Sequence, residues 1–238
     1  MKLDILVFGA HPDDTELGCG GTIIKHIKQG HKVGVVDLTE GQLGSRGNIA
    51  TRYKEAAAAA EIQGLSIREN LKMEDGWFRN DEASQKKVIE MIRKYQPEIV
   101  LANAITDRHP DHGRGAELVA DACFYSGLIK VETSLDEKKQ DAWRPKALYH
   151  YIQDYHIEPD FVIDVSEHWE QKIESILAFS SQFFNPNSNE KETPISSQSF
   201  MDFLAARARN IGRPINAEYA EGFLKTRYIG VNDLFDLS

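Results

Sequence analysis

Leu3-Asp4-Ile5-Leu6-Val7-Phe8-Gly9 is a short, mostly apolar run closed by glycine, and His11-Pro12-Asp13-Asp14 follows it almost at once. A run of this length ending in a turn suits a parallel strand buried on both faces. Working outward, Gly21–Gln29 carries Ile23, Ile24 and Ile27 at helical spacing, with Gly30 as a C-cap. Lys32–Thr39 predicts the second strand and Thr51–Gln63 an alanine-rich helix stopped by Gly64. A weaker third strand is expected at Asn70–Met73. A helix follows over Asp81–Gln96, with Asp81 as N-cap and Pro97 beyond its end. Glu98–Ala104 predicts the fourth strand and Gly113–Ser126 the next helix. Strands alternating with helices predict an α/β fold: a doubly wound, mostly parallel sheet with helices on both faces.

The second half is less regular, so irregular C-terminal additions are expected. Lys146–Ile152 and Phe161–Val165 read as strands, and Glu167–Gln182 and Gln198–Asn210 as helices. Phe184–Ser197 is polar and rich in Asn, Ser and Pro. It reads either as a functional loop or as a surface excursion. No repeat or linker divides the chain, so one domain over residues 1–238 is expected.

The net charge of −9, from 28 basic and 37 acidic residues, argues against a nucleic-acid surface, which needs clustered Lys and Arg. The two cysteines, Cys19 and Cys123, lie far apart and imply no disulfide framework. Neither has a histidine at an informative spacing, and the glycines around Cys19 suggest a tight turn into a helix. The N-terminus lacks the features of a signal peptide, and no apolar run reaches the ~20 residues needed to span a membrane. The expectation is a cytoplasmic protein acting on a small molecule, with neither nucleic acid nor membrane as partner.

With sheet order 3-2-1-4-5, strands one and four adjoin at the topological switch point, where ligands bind beyond the strands' carboxyl ends. His11-Pro12-Asp13-Asp14 follows strand one, and His109-Pro110-Asp111-His112 follows strand four. Either loop alone reads as a turn. Both at one switch point read as a metal site. Zinc takes imidazole nitrogen and carboxylate oxygen, and a catalytic site keeps one position open for water. Candidate ligands are His11, Asp14 and His112. Asp13 is the spare carboxylate for a general base, although spacing alone hardly separates it from Asp14. His109, protonated and oriented by Asp111, is the candidate to stabilise an oxyanion.

The first loop, continued through Glu16-Leu17-Gly18-Cys19-Gly20-Gly21-Thr22, resembles the signature of the PIG-L/LmbE-like zinc deacetylases, and the second loop resembles their second motif. The resemblance runs from residue 1 to about residue 180. It implies a Rossmann-like fold and removal of acetyl from GlcNAc-containing compounds. It also implies His11, Asp14 and His112 as metal ligands, Asp13 as base, and His109 with Asp111 as the oxyanion pair. Asp37-Leu38-Thr39-Glu40, Gly44-Ser45-Arg46-Gly47-Asn48, Arg52, Asp107-Arg108 and Ser181-Gln182-Phe183 resemble the bacillithiol-biosynthesis branch, which acts on N-acetyl-D-glucosaminyl L-malate. Asp107 stands where the mycothiol branch carries tyrosine.

Malate brings two carboxylates, and arginine binds carboxylates through paired N–H donors. Arg52, Arg108 and Arg46 are the candidates for that task. For Arg46 a solvated surface charge is the stronger reading; for Arg52 and Arg108 it is the weaker. Alternatives are a thiol-conjugate amidase, a deacetylase of another GlcNAc-containing compound, and a non-catalytic zinc- or sugar-binding module. Zinc is the default metal, and Fe(II) suits the same donors. Homo-oligomerisation is implied by the resemblance alone.

Overall fold

The first apolar run forms strand β1 (Ile5–Gly9), buried at every residue. The computed structural model describes residues 1–236. Helix α1 (Asp14–Lys28) leads to β2 (Val33–Thr39), α2 (Ile49–Gln63) and β3 (Ile67–Met73). Helix α3 (Glu82–Tyr95) returns the chain to β4 (Ile99–Ala102), and α4 (Pro110–Tyr125) follows. A small hairpin of β5 (Ser134–Leu135) and β6 (Lys138–Lys139) precedes β7 (Ala147–Tyr151) and β8 (Phe161–Asp164). Helices α5 (Trp169–Leu177) and α6 (Gln198–Gly212) and strand β9 (Ala220–Lys225) complete the fold.

The main sheet has seven strands in the order β3-β2-β1-β4-β7-β9-β8. β1 pairs in parallel with β2 and β4, and β7 extends the parallel set beyond β4. The expected order 3-2-1-4-5 is therefore present, with β7 as the fifth strand. β9 was not anticipated. It enters antiparallel between β7 and β8 and ties the C-terminal part into the sheet.

Alternate residues of β1 face opposite cores, as a strand covered on both sides requires. Leu6 and Phe8 pack with Ile89 and Ile92 of α3 and with Leu118 of α4. Ile5 and Val7 pack with Cys19 and Ile23 of α1. A third cluster joins Ala59 of α2, Ile176 of α5, Phe179, Phe183 and Leu204 of α6. It holds α6 over the carboxyl end of the sheet.

Several boundaries differ from the expectation. α1 begins at Asp14, and the Gly18–Gly21 run lies inside it rather than forming a turn before it. The helix breaks at Cys19, where φ is −145°. It restarts because the freed amides of Gly21 and Thr22 donate to the Glu221 carboxylate of β9, at 2.9 and 2.7 Å. Lys172 of α5 binds the same carboxylate at 2.6 Å. Glycine is needed here for close approach: a Cβ at Gly21 would stand 2.8 Å from Cβ of Val165. α5 ends at Leu177, short of the expected Gln182. There Glu55 of α2 captures the Ser180 and Ser181 hydroxyls and the Ser181 amide.

Candidate active site

β1 and β4 are neighbours, so the loops that leave them meet over the carboxyl end of the sheet. Each loop opens a helix. Asp13 precedes α1 with φ at +123°, a conformation that costs a non-glycine residue ~1–3 kcal/mol and is held by its surroundings. His109 caps α4, its Nδ1 accepting the Asp111 amide at 3.2 Å, and Pro110 occupies the first turn. Both helix N-termini favour the anionic forms of Asp14 and Asp111.

Asp14 is fixed on both oxygens. Its Oδ2 accepts from the His11 amide at 2.9 Å and from Asn103 at 3.0 Å, and its Oδ1 accepts from Gln153 at 3.0 Å. His112 Nε2 lies 3.1 Å from Asp14 Oδ1, and His11 Nδ1 lies 3.6 Å from Oδ2. The far side of each ring is bound too. His11 Nε2 stands 3.0 Å from Asp75 and 3.3 Å from Asp111, while His112 Nδ1 stands 2.5 Å from Asp107. A carboxylate only accepts, so these contacts place the ring protons on His11 Nε2 and His112 Nδ1. The opposite nitrogens point at Asp14; protonated there they donate to it, and on loss of that proton they are free to bind a cation, the arrangement in which outer carboxylates orient metal-binding histidines.

Burial alone would lower the pKa of both imidazoles. The surrounding carboxylates outweigh it, holding His11 well above its usual value and His112 up to about 9. Asp14, Asp75, Asp107 and Asp111 thus crowd a buried spot that calls for positive charge. A divalent cation fits that excess and the mixed nitrogen and oxygen donors. His11, His109 and His112 also offer nitrogens that all lie within 4.8 Å of one another.

Asp13 is buried beside this cluster, and Arg52 Nη1 donates to its Oδ2 at 3.2 Å. Burial pushes the Asp13 carboxyl up to about 6, against the pull of Arg52 and with the push of Asp14. The relation expected between Asp111 and His109 is not the one formed. The Asp111 carboxylate takes Arg114 at 2.5 Å and the Gly76 amide at 2.8 Å, besides facing His11. His109 is pushed below its usual pKa by burial and by His11 and His112, and Asp111 does not reverse this. Because Nδ1 of His109 accepts a backbone N–H, the ring is neutral with its proton on Nε2.

His11, Asp13, Asp14, His109 and His112 line a cavity of about 330 Å³, the size of a small-molecule site. Arg52 and Arg108 reach it; Arg46 does not. Arg46 is no solvated surface charge either. It is buried, and binds Glu190 at 3.0 Å and Ser188 at 2.6 Å, which anchors the long polar loop. Thr193, Pro194 and Ile195 of that loop form a wall of the cavity. Arg108 is half-exposed and lies 3.3 Å from Asp154. Sequence reasoning missed Asp75, Asn103 and Gln153, because an isolated polar residue at a strand end carries no motif. It also missed Arg207 of α6, which lines the same cavity.

The PIG-L family profile, described as GlcNAc-PI de-N-acetylase, matches residues 6–123. The chain is 32% identical to the conserved protein TT1542 of Thermus thermophilus, with a TM-score of 0.85 over 97% of this chain and 98% of that one. It is 29% identical over 189 residues to the diacetylchitobiose deacetylase of Thermococcus kodakarensis, covering 75% of this chain and 70% of that protein. A 4-oxalmesaconate hydratase of Pseudomonas putida is 28% identical over 193 residues, covering 74% of this chain and 73% of that protein. A buried cluster of His and Asp at the switch point of a doubly wound sheet, with a raised carboxyl beside it, marks a metal-dependent hydrolase. The chain belongs to the PIG-L family, and it is an enzyme of the N-deacetylase type.

Proposed function

We propose that the protein removes the acetyl group from N-acetyl-D-glucosaminyl L-malate, the deacetylation step of bacillithiol biosynthesis, with His11, Asp14 and His112 holding zinc. Fe(II) suits the same donors. The observation that carries this reading is the pair of oriented imidazoles facing Asp14, with Asp13 beside them as base in a cavity reached by arginines. A bound dication supplies Lewis acidity to the acetamide carbonyl and lowers the pKa of a bound water to ~7.

The chain's own residues do the rest. Asp13 is largely ionised at neutral pH yet basic enough to accept the proton of the attacking water. Arg52 keeps its carboxylate in place. Nε2–H of neutral His109 donates to the carbonyl oxygen as it gains charge. Asp13, now protonated, holds the proton that the leaving amine needs. The amide carbon–nitrogen bond breaks, and acetate and the free glucosaminyl compound leave.

Arg52 and Arg108 supply the positive charge for the malate carboxylates. Nε of Arg52 is buried without a partner among the described residues, which suits a ligand oxygen. Both cysteines are free, in keeping with a reducing cytoplasm. Among the described residues no helix is long and apolar enough to cross a membrane.

The test is amine release by the zinc-loaded protein from the malate conjugate and from methyl N-acetylglucosaminide. Strong preference for the conjugate is expected. Equal turnover keeps the deacetylase and removes the malate. No amine from either substrate overturns the proposal.

A further inference from the structure

Three arginines line the cavity, and two already face an acid: Arg52 faces Asp13 and Arg108 faces Asp154. Arg207 is the exception. Among the described residues its guanidinium makes neither a hydrogen bond nor an ion pair, and its contact is the face of Phe203, 5.3 Å away. It is half-buried. Burial pushes its pKa below the usual value, and Asp154, Asp107 and Glu221 oppose this only at longer range.

Position gives this charge a use. Phe200, Leu204 and Arg207 succeed one another at helical spacing on α6, and all three line the cavity. Leu204 is fixed in the cluster beneath α6, so the helix is held with that face toward the site. Arg207 therefore stands on the α6 wall, apart from the loops that carry Asp13 and the histidines. A half-buried guanidinium with no partner keeps its donors for a ligand, and a carboxylate is the planar anion that fits those paired donors. Asp154, which engages Arg108, also acts on Arg207. An acid arriving there meets two guanidiniums.

We infer that Arg207 is a specificity residue, anchoring a carboxylate on the part of the substrate that leaves the cavity along α6. This rests on the proposed deacetylation of a sugar bearing an acidic aglycone. It adds to that reading a residue outside the signature loops.

The experiment measures binding by calorimetry to the zinc-loaded protein. The ligands are D-glucosaminyl L-malate and methyl glucosaminide, compared in wild type, Arg207→Gln and Arg207→Lys. Wild type is expected to prefer the malate compound. Arg207→Gln should weaken that ligand alone by about 10- to 100-fold, the scale of one charge-assisted hydrogen bond, and Arg207→Lys should recover part of it. Zinc content and melting temperature should match wild type in both variants. An equal loss on both ligands makes Arg207 merely structural, and no loss removes it from recognition. A wild type without preference for the acid also overturns the inference, while amine release from N-acetylglucosaminides separately decides whether the deacetylase reading stands.

Discussion

Asp107 accepts the Nδ1–H of His112 across 2.5 Å, and that contact leaves Nε2 of His112 facing Asp14. Asp107 also accepts the amides of Asp154 and Tyr155 at 2.9 Å, so the acid is fixed before it fixes the ring. Asp107→Asn should weaken metal binding by ~10–100-fold, the usual effect of removing a carboxylate behind a ligating histidine. Competition with a chromogenic chelator measures this. An unchanged affinity would remove Asp107 from the metal site.

Asp13 and Asp14 are neighbours with different partners, and the assigned roles separate them. Asp13→Ala should keep the metal and lose ~10²–10⁴ in turnover, whereas His112→Ala should lose both. Metal content by atomic emission and amine release give the two readouts. Equal metal loss in both variants would break the distinction between base and ligand.

Arg46 holds the cavity wall through Ser188 and Glu190. Arg46→Ala should free the loop and speed tryptic cleavage after the exposed Lys191, with little change in metal content. Gel densitometry over a time course reports the rate. Cleavage at the wild-type rate would show that the loop is held by other contacts.

Glu221 and Lys172 form a buried pair that also caps the restart of α1. Glu221→Ala leaves Lys172 and two helix amides without their acid, and should cost ~3–5 kcal/mol in urea unfolding. The double variant Glu221→Gln, Lys172→Met should recover much of that loss. A single variant as stable as wild type would contradict the capping role.

Cys123 is buried, and burial pushes its thiol up to about 12. A thiol titrating higher in the folded than in the unfolded chain stabilises fully below the unfolded pKa of ~8.5. That contribution is lost as pH rises from there toward the folded value. The urea midpoint should fall over this window, and fall less in Cys123→Ala. Ellman's reagent should leave both thiols untouched at pH 8 until denaturant is added.

The sequence by itself determined the left part of the sheet and the position of the site. Alternating apolar runs and helical spacings are local signals, and β1, β2, α2, α3 and β4 follow from them. The two His-Pro-Asp loops were legible because one follows β1 at once and the other follows β4 after a short gap, and the winding rule makes those strands neighbours. What only the tertiary structure decided depends on contacts between distant segments. β3 begins at Ile67, before the apolar signal, because Arg68 is neutralised by Asp37 and Glu16 from β2 and α1. β9 is a strand because it fills the gap between β7 and β8, and α1 breaks and restarts because Glu221 arrives to cap it. The same holds in the site. His109 is neutral because its Nδ1 faces an amide, Arg46 is buried because a loop folds back over it, and Arg207 reaches the cavity because α6 is carried there. Local spacing fixes which residues share a face; which charge meets which acid is fixed only when the elements pack.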